Sequence, residues 1–290
     1  MSGDSSIIPQ VLISGLLMGG IYALAAVGLS IIWGVTDIVN FAHGDYMMLS
    51  MFSAYFGWKI LGIDSVFSMP FVMALFFVLG VASYKLLIAK TRYAGSIPQI
   101  TITFGLCIFF EAGAQFLWTP DFKMIEKPII SGKIAIGEVF ISFPQLVSSV
   151  IAVVSLFVLN WFITKTKLGL ALQAVSENRE WATLMGIDSE RMFKLSWGIG
   201  IASIAMAGVL LTNFFYIFPQ VGLSFTMIAF VTVALGGFGS IYGTLIAALL
   251  IGLVESVGGF FCGAQYKMAL IFVLYLVFVT IKPKGLAGHF

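Results

Sequence analysis

The stretch DIVNFAHGDYMML, Asp37 to Leu49, sets Asp37, Asn40, His43 and Asp45 among apolar neighbours. An imidazole and two carboxylates in such surroundings can carry a proton, orient a polar solute or line a watery path, and each is costly to bury without a partner. If the stretch is helical, Asn40, His43 and Met47 share one stripe by their i, i+3, i+7 spacing, while Gly44 weakens the helix locally. A broken helix at membrane depth is tolerated only where protein or a water-filled cavity surrounds it. The segment therefore reads as a pathway or gate element, or else as a polar turn in which His43 satisfies a backbone carbonyl. Glu111, with Gln115 one turn later, and Glu255 are further ionisable groups within apolar stretches, where such groups face a bundle interior or water. Glu111 lies deeper in its stretch and is the stronger pathway candidate.

Familiar catalytic constellations are missing. Gly132-Lys133 is the sole GK pair, Ile134 follows it, and no upstream glycine completes a phosphate-binding loop. His43 and His289 stand far apart without a cysteine pair, so neither HExxH nor a Cys/His zinc site can be assembled. No GxSxG nucleophile elbow occurs. The expectation is a conduit with no catalytic residues, no metal and no cofactor of its own.

Those residues must be positioned by apolar elements. Of 290 residues, 60% are hydrophobic and 10% charged, against roughly 45–50% and about 25% in soluble domains. A soluble globular protein is excluded. The net charge of +2, without a basic cluster, argues against nucleic acid. Cys107 and Cys262 sit in or beside apolar runs and read as small buried hydrophobes. Residues 1–10 lack the basic n-region of a signal peptide, so the first span is expected to be retained.

The composition predicts an all-α polytopic membrane protein with about eight or nine transmembrane helices, some broken or re-entrant. Uncharged stretches place spans near residues 7–33, 46–61, 67–88, 100–118, 145–164, 195–218, 244–257 and 266–281, and a short piece at 224–235 crosses or re-enters. Gly15, Gly19 and Ala23 recur every four residues, which suits close helix packing inside the bundle. The run GGFGSIYG, Gly236 to Gly243, permits a hinge or half-helix end facing a cavity, or plain tight packing.

Between the spans, residues 119–143 form a loop of balanced charge, and 165–194 form the longest polar segment. Ten basic residues (Lys85, Lys90, Arg92, Lys165, Lys167, Arg179, Arg191, Lys194, Lys282, Lys284) collect on the side of that segment, against Lys59, Lys123, Lys127, Lys133 and Lys267. Positive charge marks the cytoplasmic side, so 165–194 is expected inside and 119–143 outside. Nine crossings would put the N-terminus outside; a re-entrant 224–235 would reverse that parity. Within 165–194, Gly169 to Met185 is rich in helix formers, Gly186 stands where a C-terminal cap belongs, and Asp188 suits an N-cap for the next helix. Leu168, Leu172 and Val175 make an apolar ridge flanked by Glu177, Arg179, Glu180 and Arg191, suited to docking a partner. The mixed charge argues against a helix resting on lipid headgroups.

Four stretches in order and spacing, GIYALAAVGLSIIWGVTDIVNFAHGDYMML (Gly20 to Leu49), TKLGLALQAVSENREWATLMGI (Thr166 to Ile187), VALGGFGSIYGTLIAALLIGLVES (Val233 to Ser256) and KPKGLAG (Lys282 to Gly288), resemble the LivH-type permease subunits of branched-chain amino acid ABC importers. The resemblance covers nearly the whole chain. It implies a permease in the bacterial inner membrane, working with a second homologous permease, two cytoplasmic ATPases that use ATP and Mg, and an extracytoplasmic solute-binding protein. It implies that Glu177 to Ile187 forms the coupling helix, with Glu177, Asn178, Arg179, Glu180, Trp181 and Gly186 toward the ATPase. Asn40, Phe41, His43 and Asp45 would lie on a broken helix near the substrate path, and Gly236, Gly237 and Gly239 would form a turn in the second half. Trp181 is larger than the small residue the family pattern leads one to expect. Relatives of this kind also move urea, short amides or other small solutes, and an ion-coupled carrier using Glu111, His43 or Asp45 is the competing class.

Overall fold

A computed structural model of the protein describes residues 4–92, 94–126, 128–137, 139–282 and 285–286. Lys127, Glu138, Lys284 and most of the KPKGLAG stretch lie outside the described residues. The chain is almost wholly helical: α1 (Asp4–Thr36), α2 (His43–Leu61), α3 (Ser65–Ser83) continuing through a π-turn at Tyr84–Ile88 into the short α4 (Ala89–Thr91), and α5 (Ser96–Trp118). A β-hairpin, β1 (Lys133–Ile136) with β2 (Val139–Ser142), precedes α6 (Phe143–Lys165), α7 (Lys167–Glu177), α8 (Arg179–Leu184), α9 (Ser189–Leu211), α10 (Val221–Gly236), α11 (Ile241–Cys262) and α12 (Lys267–Ile281).

Seven helical segments among the described residues are long and apolar enough to cross a bilayer, formed by α1, α3 with α4, α5, α6, α9, α11 and α12. This is close to the expected eight or nine; the two remaining foreseen segments are α2 and α10. Helix α2 has 19 residues, and its first half carries the buried polar groups His43, Asp45 and Ser50, which lower its apolar character. Helix α10 has 16 residues, about 24 Å of rise against a hydrocarbon core of about 30 Å. Its length falls short of a crossing.

At the centre, α1 and α9 are buried along most of their length, whereas α12 is buried almost nowhere. Small residues explain how two helices reach the middle. Gly28 of α1 and Gly200 of α9 face each other so closely that a Cβ on either would overlap the other's carbonyl oxygen. The stripe Gly15, Gly19 and Ala23 meets the stripe Gly252, Ala248 and Thr244 of α11: a Cβ on Gly15 would stand 2.7 Å from the Gly252 carbonyl oxygen. Internal packing is thus the use of that spacing, as small-residue stripes permit.

Polar side chains fix the helix starts. Asp64 accepts from Val66 N at 3.0 Å at the start of α3 and from Ile129 N at 2.8 Å, tying the loop to the bundle. Asp188 accepts from Arg191 N and Ser240 from Gly243 N, both at 3.1 Å, capping α9 and α11. The 119–143 segment, expected as a loop, contains the β-hairpin. Lys133 pairs with Ser142 and Ile136 with Val139 around Gly137, which has φ +64°. Lys123 and Ile217 also exchange backbone hydrogen bonds at 2.8 Å in both directions, joining this loop to the connection between α9 and α10.

Candidate functional site: an unwound entry and a capped tip

Helix α1 stops at Thr36 because Asp37 turns left-handed, φ 55°, while its N–H still bonds Trp33 O at 2.8 Å. Asp and Asn tolerate this region better than other non-glycine residues. From there the chain is non-helical until His43. His43 Nε2 lies 3.0 Å from the carbonyl oxygen of Ala25, eleven residues back along α1 and therefore about 16 Å deeper than its end. Residues 37–42 thus carry unwound backbone into the bundle. That backbone is served locally: Thr103 Oγ1 donates to Val39 O at 3.1 Å, and Asp45 N bonds Ala42 O at 3.0 Å.

The helix begins at His43, so Asn40 lies on the extended approach and does not share a helical stripe with His43 and Met47. Asn40 is fully buried, and its Nδ2 and Oδ1 both lack a protein partner, as do His43 Nδ1 and Asp45 Oδ2. Buried polar atoms without partners are rare and mark places where a water or solute belongs. Phe41 is half-buried, with Phe104 and Phe230 rings 6.3 and 5.4 Å away. Gly44 admits the backbone of α10: its N–H donates to Thr226 Oγ1 at 2.8 Å. Glu111, half-buried on α5, accepts from Gln115 Nε2 at 3.1 Å and is within electrostatic reach of Asp45. Neither Thr226 nor Thr103 carries a sequence signal that singles it out.

Gly236, Gly237 and Gly239 form a turn between α10 and α11, with φ +94° at Gly237 and +77° at Gly239. Gly239 N donates to Ser30 Oγ near the end of α1, and Leu286 N bonds Leu235 O at 2.8 Å. A shallow cavity shared by Ser30, Gly34, Leu172, Ser176 and Gly239 sets the turn beside α7. The turn and the polar hairpin therefore occupy one end of the bundle.

At that end the expected single helix from Gly169 to Met185 is two. Asn178 breaks it with φ −156° and ψ 107°, closing α7 and opening α8 by accepting from Trp181 N at 3.0 Å. Asn is a preferred N-cap because its short side-chain oxygen reaches the free N–H groups of the next turn. Gly186, φ +85°, follows α8, and Asp188 starts α9. The ridge also faces the other way from expectation: Leu172 and Val175 are buried against the bundle and Leu168 is exposed. What α8 presents outward is Trp181, 68% exposed, Leu184, 78%, and Met185, 82%, ringed by exposed Glu177, Asn178, Arg179 and Glu180.

A polar cavity of about 420 Å³ separates this tip from the start of the unwound entry, lined by Thr36, Asp37, Arg92, Glu177, Arg179 and Phe193 among others. Arg92 pairs with Glu190 and lies 3.7 Å over the Phe193 ring, and Arg179 lies over the same ring at 5.6 Å. Phe193 is buried, so Phe193→Ala removes a core ring and the platform of both guanidiniums. Its expected cost is about 3 kcal/mol, seen as a lower denaturation midpoint of the purified protein.

The family model described as branched-chain amino acid transport system, permease component, matches residues 11–280. The chain belongs to this family. It is 31% identical to the high-affinity branched-chain amino acid transport system permease protein BraD of Pseudomonas aeruginosa, over 97% of this chain and 95% of that one. It is 27% identical to LivH of Escherichia coli K12, over 97% and 95%, and 25% identical to a probable LivH of Methanocaldococcus jannaschii, over 96% and 92%. Among solved structures, PsaBC from Streptococcus pneumoniae in complex with Fab matches with a TM-score of 0.51 at 13% identity, covering 94% of this chain and 92% of that chain. That last likeness concerns the fold alone. With seven candidate spans, this permease is a multi-pass protein of the bacterial inner membrane.

Proposed function

We propose that the chain is the membrane-spanning subunit of an ATP-driven importer that moves branched-chain or related small amino acids inward by alternating access. A second homologous permease, two cytoplasmic ATP-binding subunits that use ATP and Mg, and an extracytoplasmic solute-binding protein complete the machine; this chain itself hydrolyses nothing. The observation that carries this reading is the bare tip of α8, where Trp181, Leu184 and Met185 stand out at the end of the one long polar hairpin. Large apolar side chains clustered on a capped helix mark a surface that another protein covers. In this reading residues 165–194 face the cytoplasm and 119–143 the outside, in line with the Lys and Arg count.

Closure of the ATPases would displace α8. The Arg92–Phe193–Arg179 stack and the cavity beside it then offer a route from the tip to the unwound 37–42 segment. Packed cores shift between discrete arrangements, which lets a small displacement at the tip become a change of access. Asn40, Phe41, His43, Asp45 and Glu111 would serve the path, and Gly236, Gly237 and Gly239 the turn that flanks it.

The test is co-reconstitution with the candidate partners in liposomes. Leucine uptake that requires ATP and ignores imposed proton and sodium gradients supports the importer. Uptake that follows an ion gradient without ATP overturns it in favour of a carrier driven through Asp45 or Glu111. Uptake of urea or short amides in place of leucine keeps the machine and changes its cargo. In the same assay Glu111→Gln is expected to lower uptake about tenfold, the usual scale for loss of one positioned polar group, with normal insertion. Unchanged uptake at all pH values would leave Glu111 as a partner for Gln115 only.

A further inference from the structure

At the end of the bundle opposite α8, a cavity of about 190 Å³ opens between α1, α6, α11 and the start of α12. Its lining combines polar side chains, Gln145, Glu255, Ser256 and Lys267, with apolar ones, Met18, Phe214 and Phe215. Glu255 Oε2 accepts a 2.5 Å hydrogen bond from the Tyr22 hydroxyl, and Glu255 Oε1 lies 3.6 Å from Lys267 Nζ. The first contact anchors the carboxylate. The second exceeds hydrogen-bond length, so the two charges attract without closing on each other, and both stay accessible, their side chains 19% and 41% exposed.

We propose that this cavity binds a small zwitterion with an apolar side chain: its ammonium on Glu255, its carboxylate on Lys267, its side chain against Met18, Phe214 and Phe215. The proposal rests on the reading of the chain as an amino-acid permease and locates a binding site within this one subunit. Charge supports it, because a zwitterion entering between the pair adds no net charge and gives each ion a second opposite partner. Size supports it: an apolar cavity of about 150 Å³ holds benzene, and this one is somewhat larger, as a branched aliphatic amino acid needs. An ion pair that merely clamped α11 to α12 would not explain the open space or the phenylalanines that line it.

The experiment measures binding of radiolabelled L-leucine to the purified full chain in lipid nanodiscs, with 4-methylpentanoate (no ammonium) and 3-methylbutylamine (no carboxylate) as competitors. Saturable leucine binding is expected, with both competitors weaker by about tenfold or more, the scale of one lost charge-assisted contact. Glu255→Gln and Lys267→Gln should each weaken leucine by a similar factor. Met18→Phe keeps both charges and narrows the apolar lining, so it should weaken leucine more than alanine even if the charge variants fold poorly. No leucine binding, competitors as good as leucine, or an unaltered leucine-to-alanine preference in Met18→Phe overturns the assignment. Uptake by the assembled importer separates this from the functional reading. ATP-driven uptake with unchanged KM in all three variants sinks the cavity alone, whereas absence of ATP-driven amino-acid uptake sinks the importer.

Discussion

Replacing Trp181 and Leu184 together with Ala abolishes ATP-dependent uptake and co-purification of the ATPases, while the chain still inserts and stays monodisperse. Both side chains point away from the bundle, at 68% and 78% exposure, so their loss opens no cavity in this protein. If they fill a cleft on a partner, each acts as an interface anchor worth about 2 kcal/mol, roughly thirtyfold in affinity. Two such losses leave no stable complex at ordinary concentrations. The caps at Asn178 and Asp188 keep α8 and the start of α9 formed in the variant, so the failure belongs to docking. Glu180→Ala, a rim charge, should slow assembly without preventing it. Wild-type co-purification and uptake in the double variant would remove α8 as the coupling surface.

The second large effect lies inside. Gly44→Ala places a Cβ into the carbonyl oxygen of Gly222 and against Thr226 Oγ1. Backbone cannot give way as a flexible side chain can, so α2 and α10 must separate. The separation costs the 2.8 Å hydrogen bond from Gly44 N to Thr226 as well as packing. Overpacking of this kind costs about 1–3 kcal/mol, with about 1 kcal/mol more for the hydrogen bond. The expected result is a fall of about 5 °C or more in the thermal midpoint and loss of uptake. Gly105 is the matched control, since nothing lies within 4 Å of a Cβ there. Gly105→Ala should be neutral or slightly stabilising, as Ala is the better helix former. Equal midpoints for the two variants would show that α2 and α10 do not meet as described.

Much of the architecture follows from local chemistry. Uncharged runs of about 20 residues are enough to declare a membrane protein, and the boundaries near Trp118, Lys165 and Ile281 follow from where polar residues resume. The caps at Gly186 and Asp188 are legible because a left-handed glycine and a short carboxylate act on their nearest neighbours in sequence. The β-hairpin at 133–142 could have been read from the alternation around Gly137, but its mixed composition hid it. Asn178 as a helix break was harder to see, because helix formers lie on both sides of it and propensity alone lets one helix run through.

What the sequence settled by itself is the solvent, the all-α class, the small-residue stripes and the family pattern, all of which depend on composition or short spacing. Tertiary structure alone decided that the first part of α2, with His43 and Asp45, is buried in the bundle, that Leu172 and Val175 turn inward while Trp181, Leu184 and Met185 turn outward, and that Tyr22 holds Glu255 beside Lys267. The reason is range. Helical period says which residues share a face, but which face meets another helix depends on how all the helices fill space together, and Tyr22 reaches Glu255 across 233 positions of chain.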